Sequence, residues 1–178
     1  MEFMKLILAS ASPRRRELLQ VITKDFEVST ADVDERAIED EIMKGEGDML
    51  SKAKELVLKL SRSKAQAVFE KASEDAVVIG SDTCVVTADE IMGKPVDKDD
   101  ARRILYKLSE AEHYVLTGVC IYSKDKVENF YESSLVRFNE LDEYQIENIE
   151  RYINTDEPYD KAGAYGIQGS AMILIRGI

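Results

Sequence analysis

Apolar and polar positions along the chain alternate in blocks that predict a mixed α/β architecture. Leu6, Ile7 and Leu8 form a short apolar run followed by the small residues Ala9, Ser10 and Ala11, which reads as a buried strand entering a turn. Ser12 stands where a helix N-cap belongs, with Pro13 at the first helical position, where its missing N–H is harmless. Phe26, Val28 and Thr30 carry β character, and an acidic loop through Asp32, Asp34 and Glu35 follows. Asp48 is placed to cap a long helix from about 49 to 71, with Leu50, Ala53, Leu56, Val57, Leu60, Ala67 and Val68 as its apolar stripe. Residues 76–79 read as a short strand ending at Gly80-Ser81-Asp82-Thr83. Cys84-Val85-Val86 and Glu90-Ile91-Met92 flank Ala88-Asp89 as a hairpin, and Gly93-Lys94-Pro95 breaks the pattern ahead of a helix over 98–109. Two long strands, 113–122 and 126–138, meet at a turn near Lys124-Asp125. Asp142 caps a helix reaching about 152, and a glycine-rich tail leads to a last strand over 171–175. Hairpins interrupt the helix–strand alternation, so a mixed twisted sheet with flanking helices is expected rather than a purely parallel one.

The length of 178 residues suits one domain or two lobes sharing a sheet, and 44% hydrophobic residues suffice for a real core. No run approaches the roughly 18 apolar residues of a membrane span, and no signal-peptide core is evident. Met1-Glu2-Phe3 ahead of Met4 reads equally as native sequence or as a cloning remnant. Cys84 and Cys120 lie far apart in apolar runs, which favours buried free thiols and a cytoplasmic setting. A formal charge of −11 argues against binding a nucleic-acid polymer. The same acidity makes Arg14-Arg15-Arg16, in the first turn after Ser12, a local positive feature. Cations there oppose the helix dipole, so the turn reads either as an anion site built from backbone N–H groups and guanidinium forks or as a solvated helix start leading into core residues Leu18, Leu19 and Ile22.

Several mechanisms are excluded by residue type. The single histidine, His113, permits no histidine cluster, and the two cysteines have no metal-ligand spacing. Gly93-Lys94-Pro95 lacks the flanking residues of a P-loop, and Gly163, Gly166 and Gly169 make no dinucleotide fingerprint. What remains are charged residues at element ends. Asp82 follows a buried strand, where a carboxylate can be held near a ligand or can simply cap a turn. Glu35, Lys64, Lys94 and the Asp160-Lys161 pair each read as ligand groups or as ordinary surface charge. Together, cations beside two or three acids suit phosphoanhydride cleavage, in which carboxylates hold a hard divalent ion and direct water.

These motifs in this order resemble the Maf family of nucleoside triphosphate pyrophosphatases. The resemblance rests on Leu8-Ala9-Ser10-Ala11-Ser12-Pro13-Arg14-Arg15, Asp34-Glu35, Lys64-Ala65, Gly80-Ser81-Asp82-Thr83, Gly93-Lys94-Pro95, His113 with Thr117-Gly118-Val119, and the run from Asp160 to Gly169. It implies a two-lobed α/β fold similar to inosine triphosphate pyrophosphatases, with a nucleotide cleft between lobes of a single Maf-like domain over 1–178. It also implies hydrolysis of a nucleoside triphosphate to the monophosphate and pyrophosphate with Mg²⁺ or Mn²⁺. Asp82 would be the proton acceptor, Glu35 the second acid and metal partner beside it, and Lys94 a catalytic cation. Arg15, Lys64 and Lys94 would neutralise the phosphates, with Ser10 and Ser12 adding hydrogen bonds; Lys161 would bind substrate, and Arg14, Thr83 and Gln168 would choose the base. Tyr165-Gly166-Ile167-Gln168-Gly169 resembles the branch acting on dTTP and UTP, and a glutamine amide suits a uracil edge because it donates and accepts at once. Members of the family are linked to septum formation and cell division, and often form homodimers, so a nucleotide-binding regulator is the alternative to an enzyme. Two departures stand out: Leu108-Ser109-Glu110 replaces Leu-Ser-Gly, and members continue past the position of Ile178 into a glycine-rich segment.

Overall fold

A computed structural model describes residues 4–30, 32–73 and 75–178, so Met1-Glu2-Phe3 lie outside it. Strand β1 (Leu6–Ala9) runs parallel to β2 (Glu27–Val28) on one side and to β3 (Val77–Val86) on the other. The seven-stranded sheet has the order β2-β1-β3-β5-β6-β7, where β5 is His113–Tyr122, β6 is Val127–Phe138 and β7 is Ile175–Gly177. Strand β4 (Ile91–Met92) pairs antiparallel with the end of β3, as the hairpin pattern predicts, and β7 is antiparallel to β6. The expected mixed sheet is therefore present, flanked by five α-helices among the described residues: α1 (Pro13–Ile22), α2 (Glu35–Lys44), α3 (Met49–Phe69), α4 (Lys98–Glu110) and α5 (Glu143–Tyr152).

Caps set most of the helix starts. The side chains of Asp34, Asp48, Asp97 and Asp142 each accept a backbone N–H three residues on, at 2.7–2.9 Å. The Ser12 cap is longer, 3.5 Å from Arg15 N. Three expectations need correction. The acidic loop ends at Asp34, which caps α2, and Glu35 is already the first residue of that helix, where it favours the positive end of the dipole. Strand β3 does not stop at Gly80 but carries Gly80-Ser81-Asp82-Thr83 through its middle; it pairs with β1 over residues 77–80 and with β4 at Val85 and Val86, and β5 is its neighbour on the other side. The tail forms three short 3₁₀ turns, the last covering Ser170–Leu174, before β7. Of the apolar residues of α1, only Leu19 is buried; Leu18 and Ile22 face solvent. Helix α4 ends at Glu110, the residue standing in place of glycine, and Ala111 leaves it in extended conformation.

Two compact units partition the chain. The first comprises residues 1–46, 54–82 and 117–132, and the second 47–53, 83–116 and 133–178. In the first, Ile7, Ala9, Val78 and Cys120 of the sheet pack with Ala65 and Val68 of α3. The core of the second gathers Val85, Ile104, Leu105, Leu108, Val136, Phe138, Ile149 and Leu174. Both cysteines are buried free thiols, as expected. No helix among the described residues is long and apolar enough to cross a membrane.

Candidate active site

A close approach of helix to strand builds the charged centre of the first unit. Residues 80 and 82 of β3 share one face of the strand because side chains alternate. A Cβ on Gly80 would lie 2.2 Å from the Ser61 carbonyl oxygen and 2.8 Å from Ala65 N, so only glycine lets α3 settle at this depth. Gly118 of β5 makes the same concession, its hypothetical Cβ meeting Val57 O at 2.2 Å. Ser61 and Ala65 are fully buried in consequence. Asn129 of β6 secures this stretch by donating from Nδ2 to Leu58 O at 3.0 Å, while Ser61 Oγ donates to Asn129 Oδ1 at 3.2 Å.

Lys64 adjoins that contact, and its ammonium meets Asp82 Oδ1 at 2.6 Å and Glu35 Oε1 at 2.9 Å. The Lys64 and Asp82 side chains are only 17% and 14% exposed, whereas Glu35 is 56% exposed. The inner pair is thus the shielded one and the outer pair is wet. Arg15 closes the other side. Its Nη1 donates to the Ser81 carbonyl at 2.8 Å and to Ser10 Oγ at 3.2 Å, which ties the α1 turn to β3. Ser10 Oγ also accepts the Ser12 N–H at 3.3 Å, so in both bonds it is an acceptor and its own O–H remains a donor.

Burial pushes the Asp82 carboxyl above its usual range, against the pull of the Lys64 and Arg15 charges and with a further push from Glu35. Burial likewise lowers Arg15 from its ordinary value, opposed by Asp82 and Glu35. A shielded carboxylate with a raised affinity for protons, set between two cations, is equipped to take a proton from water next to a phosphate. Among the described residues no group of three or more His, Cys, Asp or Glu side chains is gathered as a metal cage. The donor set still fits a hard divalent ion, because two carboxylates already converge on one cationic atom, and Mg²⁺ ordinarily takes one or two carboxylates with phosphate and water completing its shell.

The sequence-expected residues thus divide. Ser10, Ser12, Arg15, Glu35, Lys64 and Asp82 come together in the first unit. Arg14 is half-buried nearby on α1, and Arg16 is exposed. Thr83, Lys94, Lys161 and Gln168 belong to the second unit. There the Gly163 N–H donates to the Gly93 carbonyl at 2.9 Å, joining the turn of exposed Lys94 to that of Lys161. Lys161 Nζ is held by the Glu157 carbonyl at 2.5 Å and Asp160 Oδ1 at 2.6 Å, and Gln168 is exposed. His113 is structural: it is fully buried, its Nε2 is 2.8 Å from Tyr165 OH, and Phe138 packs edge-on against both rings. Sequence reasoning missed the Ser81 carbonyl as the anchor of Arg15 and the role of Glu157. No side-chain pattern marks a backbone acceptor, whereas Asp34 ahead of a helix-forming run with Ile38 and Ile42 was a legible sign of α2.

The fold and this centre define an α/β protein whose cationic turn, shielded carboxylate and bridging lysine suit phosphate chemistry. A family model described as Maf-like protein matches residues 5–178, and the chain belongs to the Maf family. It is 42% identical over 174 residues to a dTTP/UTP pyrophosphatase of Bacillus cereus (strain G9842), covering 98% of this chain and 84% of that protein. It is 43% identical over 169 residues to a dTTP/UTP pyrophosphatase of Hahella chejuensis (strain KCTC 2396), covering 94% of this chain and 78% of the relative.

Proposed function

We propose that this protein hydrolyses dTTP or UTP to the nucleoside monophosphate and pyrophosphate. The observation that carries the reading is the shielded Asp82–Lys64 pair beside Arg15, at the point where the α1 turn is bonded to β3. The names of the relatives support the substrate class. In this mechanism Asp82 orients a water and accepts its proton as the oxygen bonds to the α-phosphorus, and the bond from that phosphorus to the bridging oxygen breaks to release pyrophosphate. Arg15, held in plane by Ser81 and Ser10, offers its fork to phosphate oxygens, and the Ser10 O–H and the N-terminal amides of α1 add neutral donors. Asp82 and Glu35 would hold Mg²⁺ or Mn²⁺, which neutralises phosphate charge when bound. Lys94 and Lys161 serve as further cations, Arg14 and Thr83 contribute to base choice, and Gln168 reads the base through its amide.

A pyrophosphate-release assay over the canonical triphosphates with Mg²⁺ or Mn²⁺ tests the reading. Pyrophosphate from UTP and dTTP in preference to the purine triphosphates is the expected result. Orthophosphate in its place, or nucleotide binding without turnover, would overturn it in favour of phosphoryl transfer or of a binding regulator.

A further inference from the structure

Lys64 sits where its assigned task does not need it. A lysine that only neutralised phosphates would point its ammonium at an anion site, yet here it is spent on the two carboxylates that the proposed reaction gives to the metal. Two acids converging on one point, one of them shielded from water, repel each other unless a cation lies between them. The geometry points to Lys64 as a stand-in for the divalent ion: its ammonium and the metal compete for Asp82 and Glu35, and the metal enters when the triphosphate draws Lys64 away. This rests on the reading of Asp82 and Glu35 as metal partners given above.

The asymmetry of the two pairs shows how the exchange proceeds. The Glu35 pair is wet and holds Lys64 weakly, so the ammonium can leave that side at little cost. The Asp82 pair is shielded, so losing Lys64 without a replacement would strand a carboxylate away from water. The lysine stem has four methylenes and an ammonium able to follow an incoming phosphate, while α3 itself is packed closely against the sheet at Gly80 and Gly118. Metal and nucleotide binding are thereby coupled. Without nucleotide the lysine keeps the metal out, and with nucleotide the same lysine becomes a phosphate ligand.

The test is a titration of the nucleotide-free, full-length protein with Mn²⁺ alone, followed by electron paramagnetic resonance. Lys64→Met, which removes the competing charge and keeps the stem, is expected to bind Mn²⁺ about tenfold more tightly than the wild type. Lys64→Arg, which restores a cation, is expected to show no such gain, and adding Asp82→Asn to Lys64→Met is expected to cancel it. Lys64→Gln is the second variant should the methionine protein fail to fold, and it must show the same gain. Unchanged or weaker Mn²⁺ binding in folded Lys64→Met or Lys64→Gln overturns the inference. Pyrophosphate release by the wild type is scored separately, so an active enzyme with no gain in the variants refutes the exchange and leaves the proposed function standing. An inactive wild type refutes the function while the titration still reads the competition.

Discussion

The two units use motif residues of similar density for opposite physical purposes. In the first, Lys64 and Asp82 are shielded charges beside half-buried Arg15 and exposed Glu35, and the close approach of α3 to β3 carries Lys64 to Asp82. In the second, His113, Phe138 and Tyr165 form a neutral buried cluster with ring centroids 4.8–5.6 Å apart, and they anchor a tail whose tip carries exposed Gln168. Charge is costly to bury and therefore sits where chemistry would use it. The aromatic anchor gains from burial itself and leaves only the loop tip to a ligand. The difference teaches that equal distinctiveness in sequence does not mean equal proximity to the reaction.

The largest effect that separates the two units is on turnover. Asp82→Asn keeps the shape and removes the proposed proton acceptor, so kcat is expected to fall by about 10³-fold. Nucleotide affinity is expected to stay within about tenfold, or 1.4 kcal/mol. Steady-state pyrophosphate release with a separate nucleotide titration checks both, and an unchanged kcat would remove Asp82 from the mechanism. Next come two glycines, one from each unit. Gly80→Ala drives a methyl into the backbone of α3, which cannot yield, and is expected to cost more than about 3 kcal/mol and to displace Lys64. Gly163→Ala meets only Val85 side-chain atoms, at 2.6 Å, but at φ +68°. It is expected to cost about 1–2 kcal/mol from the left-handed backbone and a shifted valine. Urea unfolding orders the pair, and a larger loss for Gly163→Ala would reverse the account of which contact is rigid.

Much of the sheet was legible because hydrophobic blocks and caps speak locally: Asp48, Asp142 and the β3–β4 hairpin all fall where pattern puts them. The site was legible as a set of residue types, and the resemblance supplied their order. What pattern could not give was depth. Ser61, Ala65 and Gly80 look like weak strand and helix residues, and their smallness has meaning only once two elements from distant parts of the chain are pressed together. Pattern alone left Lys64 open between ligand group and surface charge for the same reason, since nothing in its neighbours along α3 announces Asp82. In the tail, an apolar run over 171–175 suggested a strand, but positive φ at Gly163, Ala164 and Gly169 turns the chain tightly, and the last strand begins only at Ile175.

The anchor of the second unit has its own signature in pH. Burial lowers the His113 pKa from 6.5 to about 4, so the folded protein keeps the ring neutral while the unfolded chain can protonate it. Stability from this group is therefore present above pH 6.5 and drains away as pH falls towards 4, by about 2 kcal/mol between pH 7.5 and pH 5. Melting curves at the two pH values compare the wild type with His113→Phe, which fills the same apolar space without titrating. The variant is expected to lose less stability on acidification, and equal losses would show that His113 does not govern the window.

The smallest expected effect concerns the tip that this anchor supports. Glu157 closes the tail at both ends: its carbonyl accepts from Lys161, and its carboxylate accepts the Ser170 O–H at 2.6 Å and N–H at 3.3 Å. A Cβ at Gly169 would lie 2.7 Å from Glu157 Oε2, so glycine makes room for that clasp. Gln168 is the residue just before it. Gln168→Ala is expected to lower the preference for UTP and dTTP over other triphosphates by about tenfold, the worth of one well-placed polar pair. Glu157→Gln weakens the clasp without touching the amide and is expected to reproduce only part of that loss, about threefold, through a raised KM with kcat preserved. Steady-state kcat and KM on UTP and on CTP measure both. A Glu157 variant that lowered kcat on every substrate alike would mark the clasp as support for the whole unit instead of for the reading of the base, and the contrast between a reactive first unit and a selective second one would then fail at its most specific point.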